Sequence, residues 1–465
     1  MFDPTLGMPE PRPPASGGDR DRPGGEQRVL PDRGRSWNRV NALLCTLAVL
    51  GVLVGGWSLY DSYGRRQVRQ ESRAAIEESC AGLVDASAVL RLSGGVDRVE
   101  PGRPHRPGVD LTRRSSSCLL DTVRDVAERS RTTRHFTLTV DVRSRAPRTD
   151  GPGAEQVGDT KPFTSDGIRE RDDATARLDL PDRVPLGDGT LGDHGRRSVS
   201  VVAPCRTPTA AGTTSILVTA SSGEAVGATE ADLGSVGRLA RDAAVSAARR
   251  LGCEAELPAL PARLPLPAPD LGPAESGRGT CAWFAAIRSG GPAGAGAGAG
   301  AAAAEGAGRD RLPDRAAGAP AGAHSRVESC VLAVSPDGAR RVLSGLTPEE
   351  RQGQDVERVL DDRPWWIRTY SAFGDDADGA LVMTDFQVRP IPVLGAGRSQ
   401  DGEVLFGSAT CAGRPAALTL HVPPGYGAVL GEARLSELFT AYATETAQRR
   451  GCTGLKLPGP AGRSG

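Results

Sequence analysis

One uncharged apolar run stands apart from everything else in the chain: Ala42–Tyr60, ALLCTLAVLGVLVGGWSLY. As a helix rising 1.5 Å per residue it spans about 28 Å, the hydrocarbon thickness of a bilayer. Trp37 precedes it, and Trp57, Tyr60 and Tyr63 lie at its far end, where aromatic rings favour the headgroup level. The 41 residues before it are too many for the n-region of a cleaved signal peptide, and no A-x-A site follows, so a retained signal anchor over 37–63 is expected. Residues 64–79 continue as a helix.

Beyond the run, the pattern changes to short alternating segments. Phe136, Leu138, Val140 and Val142 alternate with polar residues, which is the period of a half-buried strand. SVSVVAPC (198–205), ILVTA (216–220), VLFGSATC (404–411) and ALTLHV (417–422) read as further strands, and so do Trp365–Phe373 and Ala380–Val388. Leu435, Leu438, Phe439 and Tyr442 recur at helical spacing, and Ala240, Ala244, Ala248 and Leu251 form a weaker stripe. Terminal helices are therefore expected over 433–450 and 237–251. Each ends in an arginine pair, suited to the negative end of the helix dipole, and then in a glycine. The fold class is α+β, with a small, mostly antiparallel sheet and packed helices.

The cysteines organise these elements. Of nine, only Cys45 lies in the apolar run. Cys80, Cys118, Cys205 and Cys253 are followed by Cys281, Cys330, Cys411 and Cys452, about 200 residues on, in matching surroundings. Cys80-Ala81 and Cys281-Ala282 each lead to Ser-Gly-Gly, at 93–95 and 289–291. Ser117-Cys118-Leu119-Leu120 matches Ser329-Cys330-Val331-Leu332, and Asp125 and Asp337 follow at equal distance. Arg249-Arg250-Leu251-Gly252-Cys253 matches Gln448-Arg449-Arg450-Gly451-Cys452. A series in one order predicts two tandem homologous domains. The expected boundaries are a disordered tail 1–36, a juxtamembrane helix and repeat 1 over 64–258, a Pro-rich extended linker 259–278, and repeat 2 over 279–458. Repeat 2 carries a flexible Gly/Ala insertion at 289–325, and repeat 1 a polar loop at 143–175. Eight cysteines allow 105 pairings. Self-contained repeats leave nine, and the favoured pairing is first-to-second and third-to-fourth, so that each terminal helix is pinned to its sheet.

Composition adds location. Flanking arginines tie, with Arg28, Arg33, Arg35 and Arg39 before the run and Arg65, Arg66, Arg69 and Arg73 after it. Disulfides persist outside the reducing cytosol, so the N-terminus is expected in the cytoplasm and the cysteine domains outside the cell membrane. Net charge is zero, which gives no bulk attraction to nucleic acid. Aromatic residues are 4% of the chain, so disulfides are expected to compensate thin cores. Gly51 and Gly55 fit a helix-dimerisation pattern, which makes a homodimer a candidate.

Catalytic patterns are not found. Gly187-Asp188-Gly189-Thr190-Leu191-Gly192 fits GxGxxG but precedes a strand, whereas a phosphate site needs a helix N-terminus. Histidines at 105, 135, 194, 324 and 421 are scattered, Asp361-Asp362 and Asp375-Asp376 read as loop charges, and no metal or cofactor motif occurs. One feature reads as a site. Adjacent residues on a strand face opposite ways, so if Trp365 enters the core with Ile367, then Trp366, Arg368 and Tyr370 share the other face. Exposed, that row would stack on a sugar or anchor a peptide; under a covering helix it would be core.

The series C-A, S-G-G, S-C-[LV]-L, C and R-R-x-G-C behind one span resembles actinobacterial single-pass envelope proteins of unknown function. More loosely it is similar to the disulfide-bonded α+β sensor domains and lipoproteins of that group. The likeness covers 80–258 and 279–458 and implies a scaffold with no functional residues to carry over; a lipobox is missing, since Cys45 lies mid-span. The expected function is a non-catalytic, membrane-anchored extracytoplasmic binding or interaction module. The alternatives are a structural or assembly component of an envelope complex and, third, an envelope hydrolase.

Overall fold

The computed structural model describes residues 35–102, 108–126, 129–144, 162–163, 173–178, 183–223, 229–289, 310–351, 353, 355–361, 364–384 and 387–459. The expected tail 1–36 lies outside them apart from its last two residues, as do 290–309 of the Gly/Ala insertion and most of the 143–175 loop. The chain divides into two bodies, 1–65 and 66–465.

In the first body the apolar run is helical, part of α1 (Arg35–Ser79), and it is long and apolar enough to cross a membrane. Leu43, Leu47, Leu53, Trp57 and Tyr60 are all exposed, as a lipid-facing helix requires.

In the second body, the end of α1 and α2 (Ala86–Arg91) precede a seven-stranded antiparallel sheet in the order β1-β2-β3-β7-β6-β5-β4. Its strands are β1 (Val99–Pro101), β2 (Ser115–Val126), β3 (Arg129–Ser144), β4 (Val184–Pro185), β5 (Gly192–His194), β6 (Ser198–Pro204) and β7 (Thr213–Ser222). The alternation at Phe136, Leu138 and Val140 turns those side chains into the core. Helix α3 (Glu230–Arg250) covers that face with Ala240, Ala243, Ala244 and Ala247, whose lack of bulk lets it sit close on the β6 and β7 valines. Thr229 caps it by accepting the Asp232 amide at 3.1 Å.

The second sheet contains β8 (Gly272–Pro273), β9 (Arg315–Gly318), β10 (Val327–Ala333), β11 (Trp366–Phe373), β14 (Gly397–Arg398), β15 (Val404–Cys411), β16 (Arg414–His421) and β17 (Cys452–Lys456). Its order is β14-β15-β16-β11-β10-β9-β8, with β17 added on β15. Around it lie α4 (Ala282–Arg288), α5 (Pro336–Gly345), α6 (Pro348–Arg351), α7 (Val356–Asp361), α8 (Asp375–Asp378), the hairpin β12 (Leu381–Thr384) and β13 (Gln387–Pro390), α9 (Ile391–Leu394), α10 (Pro424–Leu430) and α11 (Glu432–Arg449). Here aromatic rings fill the core. Trp365 stacks on Tyr426 at 5.2 Å, and Trp283 meets Tyr442 at 5.6 Å.

The two sheets share a central order and a register. Cys118 stands opposite Leu138, Leu138 opposite Ala220, and Ala220 opposite Val199. Cys330 likewise stands opposite Thr369, Thr369 opposite Leu420, and Leu420 opposite Leu405. Counting on along the strands, Cys205 lies as far past Val199 as Cys411 lies past Leu405. Four bridges follow: Cys80–Cys118, Cys205–Cys253, Cys281–Cys330 and Cys411–Cys452, each inside its own half.

Four expectations need correction. The Pro-rich stretch is extended but not free: Leu264 is buried, and it and Leu260 pack over Gly237 of α3. Apolar side chains spaced among the prolines drive that docking. Residues 310–325 of the supposed insertion are ordered and contribute β9. The strand expected over Ala380–Val388 leaves the main sheet as the separate β12–β13 hairpin. The halves also differ just after their first half-cystines, where Ala81 takes φ +51° after a helix while Ala282 opens one.

Candidate functional site

Strand parity places the β11 side chains as expected. Trp365 and Ile367 face the helical core, and Trp366, Arg368 and Tyr370 face the other way. The row is nevertheless not an open surface. Trp366 is only 4% exposed, packed among Phe163, Leu178, Val331 and Ala333. Among the described residues no helix covers it; Phe163 and Leu178, which do, come from the first half, and a large aromatic ring attracts such cover. Arg368 and Tyr370 are half-buried, with the guanidinium 5.9 Å from the phenol ring.

His421 of β16 lies under this face, edge-on to Trp366 with ring centres 4.7 Å apart. Its Nε2 is 3.2 Å from Glu403 Oε2. Burial lowers its pKa against the opposing pull of Glu403, so the ring is held neutral at neutral pH. Such a pair orients an imidazole. Among the described residues its polar partner is Glu403, and no group of three or more His, Cys, Asp or Glu side chains is placed to hold a metal.

A second polar constellation joins the halves. Arg326 Nε lies 2.6 Å from Asp193, and its Nη1 donates to Asp376 at 2.5 Å. Arg143 donates twice to Asp376, at 2.8 and 3.0 Å, and Arg183 donates to Asp193 at 2.8 Å and to Ser200 at 2.7 Å. Burial works against the Arg326 charge, but Asp193 and Asp376 outweigh it and raise its pKa. Burial likewise pushes Asp376 up, yet Arg326 and Arg143 hold it below the usual carboxylate range. Asp375 accepts from Ser215 at 2.9 Å and pairs with Arg414. Asp375-Asp376 is therefore a tie between halves rather than a pair of loop charges. These partners are far apart in sequence, and no local motif announces them.

The GxGxxG glycines lie at the same boundary. Gly189 has φ +95°, and a Cβ there would fall 2.6 Å from the Ser325 amide nitrogen. The glycine serves close approach of two chain segments, and His324 N donates to Asp188 O at 3.1 Å beside it. The arginine pair ending α11 is also spent inside the fold. Arg449 donates to Glu328 at 2.6 and 3.1 Å, and Arg450 donates to the carbonyls of Gly322 and Ser325 while stacking 3.9 Å over Phe373.

Beside Leu178 a cleft of about 410 Å³ runs between the Pro-rich stretch and β9, walled by Pro265, Pro267, Val184, Ala317 and Ala319. Comparison with protein-family models, curated proteins and solved structures gives no match for this chain.

Proposed function

We propose that this chain is a membrane-anchored, non-catalytic binding or interaction module of the cell envelope. In this reading the N-terminus is cytoplasmic, and the two disulfide-bonded halves outside are copies of one ancestral α+β unit. One observation carries it: all four bridges fall in the body that follows the apolar helix, in sheets whose register agrees from the second half-cystine to the third. Disulfides need an oxidising compartment, and an uncleaved helix before them puts the anchor at the membrane. Agreement of four strands in order and register supports duplication, because insertions fall in loops while ladders persist.

The buried ties between halves favour one rigid binding body. They count against a reach-giving spacer, the feature on which a structural-component reading rests. The test is labelling of intact cells with a membrane-impermeant maleimide. The eight cysteines should react only after reduction. Labelling without reductant overturns the bridges, and none after reduction overturns the topology.

A further inference from the structure

A short stretch of the first half lies on the Pro-rich stretch and the second half as a bound peptide would. Residues 176–178 run antiparallel to 269–271: Leu178 N donates to Pro269 O at 2.6 Å, and Leu271 N donates to Ala176 O at 3.0 Å. Leu178 enters the apolar cluster floored by Trp366, Val331 and Ala333, where it is 3% exposed. Asp173, five residues earlier, pairs with Arg315 at 2.6 Å, and Thr175 Oγ1 accepts from the same guanidinium at 3.0 Å. Backbone pairing, one aliphatic anchor and one charge anchor are the parts of strand-addition recognition. The hold is light: Arg177 and Asp270, which pair across the bridge, are 74% and 69% exposed.

We propose that the groove formed by Pro269–Leu271, Arg315 and Trp366 is a peptide-binding site, occupied in cis by Asp173–Leu178. Its ligand in trans is an extended peptide with an acidic residue five positions before an aliphatic one. This deepens the binding-module reading and rests on it. The Trp366 face is then the floor of the site, reached when the cis segment leaves.

The experiment uses the full chain in detergent micelles and a fluorescein-labelled peptide reproducing residues 173–178. The double variant Asp173→Ser, Leu178→Ser should bind it, read by anisotropy. The wild type should bind about a hundredfold more weakly, because the tethered segment competes at high effective concentration. Adding Arg315→Glu should abolish binding. A double variant that keeps its four bridges and its circular dichroism but ignores the peptide overturns the proposal. So does wild-type binding of equal strength, or dimerisation of the double variant that free peptide does not compete away.

Should that variant not fold, wild-type amide exchange decides. The Leu178 and Leu271 amides should exchange at least about a hundredfold faster than the β10–β11 ladder, since local opening exposes them alone. Equal protection overturns release. Thiol labelling reads topology independently, so failure of the groove and failure of the membrane reading are distinguishable.

Discussion

The two halves build sheets of like central order from different materials. In the first, β6 and β7 carry valines and alanines, and α3 presents an alanine face with no aromatic ring. In the second, Trp365, Tyr426, Trp283, Phe439 and Tyr442 fill the equivalent layer. Arg368 and Tyr370 stand where register puts Thr137 and Thr139. The first half closes its sheet by bringing helix and strands close together, the second by filling the gap with rings. Bridges at like positions therefore matter differently: a core of small side chains leans more on covalent constraint. The difference also assigns roles, since the half with the larger side chains supplies the face on which the other half rests.

Breaking the tie between halves should have the largest effect. Arg326→Met leaves Asp193 and Asp376 buried without their shared cation, a loss of about 3–5 kcal/mol. Calorimetry should show one transition in the wild type and two in the variant; a single transition in both means the halves are held elsewhere. Next comes the bridge comparison. Cys205→Ser with Cys253→Ser should cost about 2–5 kcal/mol, and Cys411→Ser with Cys452→Ser should fall at the low end of that range. Equal losses in denaturant titration would show that the aromatic core does not compensate.

Acidification sharpens the contrast more gently. The folded pKa of Asp376 lies below its ordinary 3.8, so its stabilisation is full above that value and is lost as pH falls through the folded pKa. Asp376→Asn should remove this acid limb from a plot of stability against pH. His421 acts at milder pH. Its folded pKa lies below 6.5, so the unfolded chain binds the proton first, and stability declines as pH falls from 6.5 towards the folded pKa. His421→Phe should flatten that slope; a slope unchanged in the variant assigns it to His135 and His194, which burial lowers as well.

The smallest effect belongs to the apolar helix. A Cβ at Gly51 or Gly55 would meet nothing within 4 Å, so a larger side chain fits at both positions of the helix itself and tests only a groove made with a second copy. If that groove holds a second copy, Gly51→Ile with Gly55→Ile should weaken dimerisation by about 1–2 kcal/mol in a micelle crosslinking assay. Identical crosslinking would remove the glycine pair from consideration.

Much of the scaffold was legible because its signals are local. An uncharged stretch long enough to cross a bilayer, the alternation at Phe136–Val142 and the heptad-like Leu435–Tyr442 each report a period that one element must satisfy. Helix α5 carries a local signal too: Ser335 caps it by accepting from Gly338 N at 3.0 Å, with Pro336 in its first turn. The candidate site was half legible. Period two fixed which face Trp366 takes but not what covers it, since Phe163 and Leu178 reach it from about 200 residues away.

What the sequence by itself determined was therefore everything set by neighbours along the chain: the apolar helix, the strand faces, the terminal helices and the like spacing of two cysteine sets. Tertiary structure alone decided which residues those faces meet. It turned Asp376 from a loop charge into the partner of Arg143 and Arg326 and the Pro-rich stretch from a spacer into a strand partner, and it covered the Trp366 face with Phe163 and Leu178. The physical reason is that burial and pairing of charge depend on distances between segments remote in sequence, and no period along the chain encodes them.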